Sequence, residues 1–284
     1  DLFEKLGENY FLLSRNRALL ASLQEDLAWI DKNLSLVEKQ EKLGFSPLIE
    51  VNRWRIERLE QLNRLRTTQG DIEQAEGSLK ALTGLDKFSP EELKEPPRSD
   101  FSVDSLLQGA PELELIAEEK RGLSLDREIL RNDWVPGFQL KTTLDTSPSN
   151  LGQEFALFAG LTFKPFHGGK EAAIEAIEAR LKRNAFAEET KETTLRDFYR
   201  IKVLEVERGR ETLQSLKEAQ DLSQSNLNRL TMAYRKRYVD FLTLWEAHRK
   251  QFALRESYFG TLSELCQNQA RLSYILSRKE GNPK

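Results

Sequence analysis

The side chains best suited to chemistry are few and scattered in this sequence. Two histidines, His167 and His248, stand far apart, and the only thiol is Cys266. One cysteine excludes an intrachain disulfide and any multi-cysteine zinc site. It sits among helical residues, which predicts a buried, inert thiol. A single methionine adds little as a copper ligand. No Ser/His/Asp, Cys/His or paired-carboxylate set stands at the spacing that catalysis needs. The expectation is a protein that is not an enzyme and uses no cofactor and no metal. Gly168-Gly169 lacks the Lys-Ser/Thr that would follow in a phosphate-binding loop, so it reads as a chain reversal. Charged or polar pairs such as Glu171 with Glu175, and Arg180 with Asn184, read as solvated helix face.

The more informative residues suit contact rather than bond-making. Gly44, Phe45, Ser46, Pro47 and Leu48 sit where one helix ends and the next begins. Tyr238, Val239, Asp240 and Phe241 sit at a second such reversal. These tips are the best binding candidates; the plainer reading is that they pack on each other to close the hairpins. A third group alternates. Phe138, Leu140, Thr142 and Leu144 are interleaved with Gln139, Lys141, Thr143 and Asp145, and Phe155, Leu157, Ala159, Leu161 and Phe163 repeat the pattern after a loop. Period two with charge on one face is a strand signature. Each run has about the nine to eleven residues that a tilted strand needs to cross a bilayer. Phe138, Leu140, Leu144, Phe155, Leu157, Leu161 and Phe163 are then the lipid-facing set, against the alternative of a hairpin lying on a soluble core.

Long helices must position these groups. The chain of 284 residues is 39% apolar and 31% charged, which suits helices with wide solvated faces. A net charge of −3 gives no whole-chain footprint for nucleic acid. No apolar run is long enough for a membrane helix. Leu13, Leu20, Leu23, Leu27, Ile30, Leu34 and Val37 form a heptad seam, predicting one helix over about 3–43. Gly44, Ser46 and Pro47 break it. Leu48, Val51, Leu59, Leu62, Leu65, Ile72, Ala75, Leu79 and Leu82 continue an apolar pattern to Gly84. The expected organisation is a helical hairpin over 1–84, a connector with one short helix over 85–110, and a second part over 111–284. That second part divides into a helix at 111–132 with Leu113, Ile116, Leu123 and Leu125 available for burial, a β-hairpin at 136–166, a long helix at 169–237 and a return helix at 240–278. The long helix follows from the absence of proline between Pro165 and Pro283.

A gapless internal match ties the two parts together. Adding 193 to a position in the first hairpin lands on a similar residue in the last: Leu20 on Leu213, Leu34 on Leu227, Val51 on Leu244, Leu79 on Leu272. This reads as a structural duplication. It predicts a leading helix and β-hairpin upstream of Asp1. It also predicts that this chain alone stays monomeric or associates irregularly, since half of each protomer's strands are missing.

Several motifs in order resemble the TolC-like outer-membrane efflux family over nearly the whole chain. Gly44-x-Ser46 with Glu50-Val51 resembles the family's hairpin tip. Ala110-Pro111-Glu112-Leu113 resembles the opening of a repeat, and Trp134-Val135-Pro136 the entry to the strands. Leu161-x-Phe163-x-Pro165-Phe166-His167-Gly168-Gly169 resembles the exit and is the most specific mark. The resemblance implies a mostly α fold of long antiparallel coiled-coil-like hairpins with one β-hairpin joining a shared membrane barrel. It implies a homotrimer in the outer membrane with a large periplasmic portion, a periplasmic adaptor protein docked at the tips, and an inner-membrane transporter that delivers substrate. The duct itself would be passive. The alternative is a soluble periplasmic helical scaffold or adaptor without transport activity. The chain departs from the family in the second tip, where Arg237, Val239 and Asp240 replace glycine, small and apolar types. The family's acidic periplasmic gate falls at Thr243 and Glu246, which implies a ring of Glu246 side chains.

Overall fold

The computed structural model describes residues 2–86, 88, 92–132, 137–145, 154–162 and 169–280. Helix α1 (Leu2–Lys42) runs into α2 (Leu48–Thr83) through a short reversal. A short α3 (Val103–Gln108) follows in the connector, then α4 (Pro111–Asn132). Strands β1 (Gly137–Asp145) and β2 (Glu154–Thr162) come next. Helix α5 (Lys170–Arg235) has 66 residues, and α6 (Phe241–Glu280) ends the chain. Among the described residues no helix is long and apolar enough to cross a membrane.

Local chemistry explains the ends. Pro47 precedes α2 with φ −75°, a conformation its ring fixes. Gly84 closes α2 in the left-handed region at φ 74°, where its N–H donates to the Lys80 carbonyl. Pro111 opens α4 at a position where a missing N–H costs nothing.

The chain forms two compact units, one from residues 1–106 and 199–284, the other from 107–198. In the first, α1 packs on both α2 and α6. Leu13, Leu23, Ile30, Leu34 and Val37 are buried as the seam predicts, while Leu20 and Leu27 are half-buried. Asn16, Asp26 and Asn33 are buried too. Two neighbouring helices cover a wider stripe than one seam, so polar positions are drawn inside. In α2 the buried set is Val51, Trp54, Gln61, Thr68, Ala75 and Leu79, largely a seven-residue repeat. Leu59 of the apolar pattern is exposed, because α2 meets its neighbours along that narrower seam, and Leu48, both in that pattern and a tip candidate, is exposed at the tip. Tyr199, Val206, Leu213, Leu227 and Tyr234 of α5 are buried at the same interval or its double. The connector is held to α5 and α6 by its carbonyls. Arg210 and Gln269 both donate to the Pro97 carbonyl, at 2.8 and 2.6 Å.

In the second unit α4 carries no buried residue. Leu113, Ile116 and Leu123 are half-buried and Leu125 is exposed. Lys120 pairs with Glu188 at 2.8 Å, linking α4 to α5. Asn184, expected on a solvated face, is buried. The strands form one antiparallel pair in unbroken register from Gly137↔Thr162 to Asp145↔Glu154.

Candidate functional site

The two reversals are built alike. After α1, the Gly44 N–H donates to the Glu41 carbonyl (2.8 Å) and the Phe45 N–H to the Gln40 carbonyl (2.7 Å). After α5, the Arg237 N–H donates to the Tyr234 carbonyl (2.9 Å) and the Tyr238 N–H to the Ala233 carbonyl (2.9 Å). This is the paired-bond ending that needs one left-handed residue. That residue is Gly44 (φ 72°) in one tip and Arg237 (φ 60°) in the other. The bonds coincide under the 193-residue shift, so the sequence duplication is also a backbone duplication. Glycine adopts this conformation freely. In an L-residue the Cβ crowds a carbonyl, at roughly 1–2 kcal/mol. At the start of α6, Asp240 Oδ1 accepts the Thr243 N–H at 2.9 Å, an N-terminal cap. The Thr243 hydroxyl and N–H hold the Asp240 carboxyl below the usual carboxylate range.

Behind the turns, side chains from four helices interlock. Ile30, Leu34, Val37, Val51, Trp54, Leu227, Tyr234, Phe241 and Leu244 form one buried cluster. Trp54 is fully buried, with Phe241 edge-on at 5.1 Å. Its indole N–H donates to the Tyr234 hydroxyl at 3.0 Å. Tyr234 donates to Glu50 Oε1, and Ser46 donates to Glu50 Oε2 at 2.6 Å. Burial and the bond to Glu50 push the Tyr234 phenol well above its ordinary value, so it stays a donor. Further along, His248 is stacked between Trp29 (4.4 Å) and Trp245 (5.0 Å), with Nε2 3.5 Å from Asp26 Oδ1.

Other tip residues face solvent. Gly44, Pro47 and Asp240 are exposed, Phe45 is 62%, Leu48 58% and Tyr238 80% exposed. Ser46 and Phe241 are buried and Val239 is half-buried. Each reversal therefore closes its hairpin with some side chains and presents others. The Arg237 guanidinium lies 5.7 Å from the Phe45 ring and donates to Gln40 Oε1 at 3.5 Å, joining one tip to the other. Thr243 and Glu246 are exposed on the first turns of α6, where Thr243 is engaged in the cap.

The hairpin places Leu140 opposite Ala159 and Thr142 opposite Leu157 on one face. Lys141 and Phe158 are partners on the other. Leu140 and Leu157 are more than half exposed. The side chains of Phe138, Leu144, Phe155 and Leu161, and all of Phe163, lie outside the described residues.

Sequence reasoning missed the Trp54–Tyr234–Glu50 bridge and the buried His248–Asp26 contact. One signal was available: Ser46 and Glu50 are one helical turn apart across a helix start. Nothing local marks Tyr234 as their partner, because that contact spans the two hairpins.

By sequence the chain matches no family model and no curated protein. By structure it superposes on solved channels. CusC, solved for the conformational changes of its folding and transmembrane channel formation, is 19% identical with a TM-score of 0.76, over 97% of this chain and 68% of that one. The outer-membrane channel OprN is 17% identical with a TM-score of 0.75, over 97% and 65%. The outer membrane protein VceC from Vibrio cholerae is 16% identical with a TM-score of 0.72, over 97% and 69%. The fold is that of the TolC-like outer-membrane channels. The chain spans about two thirds of the length of these neighbours, and the neighbours are channels, not enzymes.

Proposed function

We propose that this chain is the larger part of one protomer of an outer-membrane exit duct. Three copies would share a barrel and a periplasmic tunnel. The strands would join the barrel, and the helices would line the tunnel. Substrate would arrive from an inner-membrane pump through a periplasmic adaptor seated on the tips. No bond is made or broken along this route.

The observation that carries the reading is the hairpin. Its two nine-residue strands pair in full register and leave Leu140 and Leu157 exposed on one face, with Phe158 beside Lys141 exposed on the other. In water the leucine face would leave apolar surface hydrated. In a bilayer it meets lipid, and strands of this length suit the hydrocarbon thickness. The tips support the partner assignment, since they join two hairpins internally and still present Phe45, Leu48 and Tyr238 outward. Exposed Glu246, one turn into α6, would form the gate ring with two copies of itself, beside Thr243.

The full-length product, taken from the outer-membrane fraction and added to a planar lipid bilayer, tests this. Discrete conductance steps and a trimer on crosslinking are expected, with Glu246→Gln lowering cation preference. A product that stays water-soluble without detergent and conducts nothing would sink the reading.

A further inference from the structure

The buried His248 is packed but not hydrogen-bonded. Its ring lies between Trp29 of α1 and Trp245 of α6, parallel to them within 4° and 22°. Neither ring nitrogen has a hydrogen-bond partner, and the residue is 3% exposed. Asp26 of α1 is buried beside it, with Oδ1 3.5 Å from Nε2 and Oδ2 without a hydrogen bond. A buried polar group left unpaired costs stability, so as core filling alone these two side chains weaken the seam. The duplication does not account for them. Adding 193 to Asp26 reaches Ala219, and subtracting it from His248 reaches the exposed Arg55.

The charges around the ring come from each neighbouring helix. Arg255 of α6 approaches Asp26 Oδ1 at 3.6 Å, but its Nη1 donates to Ser22 Oγ at 2.6 Å and lies 3.6 Å from the exposed Glu25 as well. From α2, Trp54 packs edge-on to Trp29 and Trp245. Its neighbour Glu57 sits among Glu60, Arg249 and Arg64, and Arg58 is paired with Asp31 at 2.7 Å. Helix α5 brings the uncharged Gln224, which accepts a hydrogen bond from Gln251 at 2.9 Å. The ring thus meets one close carboxylate and two π faces, while the Arg255 cation is divided between two acids.

We propose that His248, Asp26 and the Trp29–Trp245 pair form an acid-tightened clamp between the two helical hairpins. Histidine ordinarily changes charge between about pH 5 and 8. Proton uptake would let Nε2–H donate to the carboxylate and would place a cation between two indole faces. Burial opposes that charge, and Asp26 with the two indoles offsets the opposition. The native chain would then hold a proton that the unfolded chain releases. The grip of α1 on α6 therefore tightens as pH falls and slackens as pH rises. Helix α1 belongs to the first hairpin and α6 to the second, so the clamp governs how freely the hairpins shift against each other. It concerns that contact alone and does not depend on the exit-duct reading.

Hydrogen exchange on the full-length protein, corrected for the intrinsic effect of pH, tests this at about pH 5.5 and 7.5. Amides of residues 22–33 and 245–255 are expected to gain about fivefold or more protection in acid. His248→Gln and Asp26→Asn should each remove that gain, and the double variant should lose no more than either alone. Asp26→Asn keeps the shape of the side chain, so it carries the test if His248→Gln fails to fold. Tryptophan fluorescence gives a readout that a merely structural histidine would not move: acid quenching is expected in the parent and not in His248→Gln. Equal protection at the two pH values overturns the clamp, as does an acid gain that survives Asp26→Asn. Lower protection in acid overturns it too, since protonation would then push the hairpins apart.

Discussion

At the scale of single residues, Arg237 and Gly44 make a matched pair. Both hold the left-handed position of the same turn, at φ 60° and 72°. Gly44→Ala is expected to cost about 1 kcal/mol, because open space around the site does not relieve the backbone clash. Arg237→Gly is expected to stabilise by up to about 1 kcal/mol, reduced by loss of its contacts with Phe45 and Gln40. Urea midpoints of the two variants check both signs; a Gly44→Ala chain as stable as the parent would refute the shared geometry. A second residue sets a pH limit. Burial pushes the Cys266 thiol up to about 11 from 9.0. Between those values the unfolded chain releases the proton and the native chain keeps it. The unfolded state therefore binds fewer protons, and stability falls as pH rises. The contribution is fully present below pH 9.0 and is lost towards about 11. Tyr234, shifted upward as well, adds to the loss at higher pH. Urea midpoints across this range should drop more steeply for the parent than for Cys266→Ala. Equal slopes would show that the thiol titrates freely.

At the scale of elements, α5 shows what a helix gains from its partners. Tyr199, Val206, Leu213, Leu227 and Tyr234 form the buried edge, and Gln220 fills the intermediate step by donating to the Leu254 carbonyl at 3.1 Å. Gly209 lies within this helix with no turn to justify it. A Cβ there would sit 3.6 Å from Leu265 Cδ1, an ordinary contact. Gly209→Ala is therefore expected to add about 0.5–1 kcal/mol, read as a higher urea midpoint; a lower one would mean that α5 and α6 pack more tightly than this geometry allows. The helix ends were legible because Pro47, Gly84 and Pro111 punctuate the chain with local chemistry. The α1 seam was legible because its leucines keep heptad spacing. Which face of α2 turns inward was not legible, since Leu48 and Leu59 look as apolar as Val51 yet stay exposed. Nor were Asn16, Asp26 and Asn33, buried because α6 covers α1 beside α2. Those outcomes belong to tertiary packing, which the spacing within one helix does not encode. The tips were legible as reversals, but the bridge from Trp54 through Tyr234 to Glu50 joins residues from opposite ends of the sequence.

At the scale of the whole molecule, apolar surface is left over. Leu115, Leu125, Ile129 and Phe186 in one unit, and Ile56, Leu59 and Leu222 in the other, are more than half exposed. Apolar residues left exposed in this number suit an interface between chains better than a lone protomer. The hairpin supplies the sharper test, because its two faces make opposite demands. If it spans a bilayer, Leu157 meets lipid, while Phe158, partnered with Lys141, faces the barrel lumen. An arginine on the lipid side costs roughly 2–4 kcal/mol near the bilayer midplane, and much less on the lumen side. In the full-length protein, Leu157→Arg is therefore expected to deplete the proposed trimer, which would run as a heat-sensitive band in gel electrophoresis of the outer-membrane fraction. Phe158→Arg should leave that band nearly unchanged. Both variants should keep the parent's thermal transition in the helical unit of residues 1–106 and 199–284, whose buried cluster includes Trp54, Tyr234 and Leu244. Equal tolerance of the two arginines would show that both faces meet water. The hairpin would then be a surface feature of a helical scaffold, and the duct would lose its membrane end.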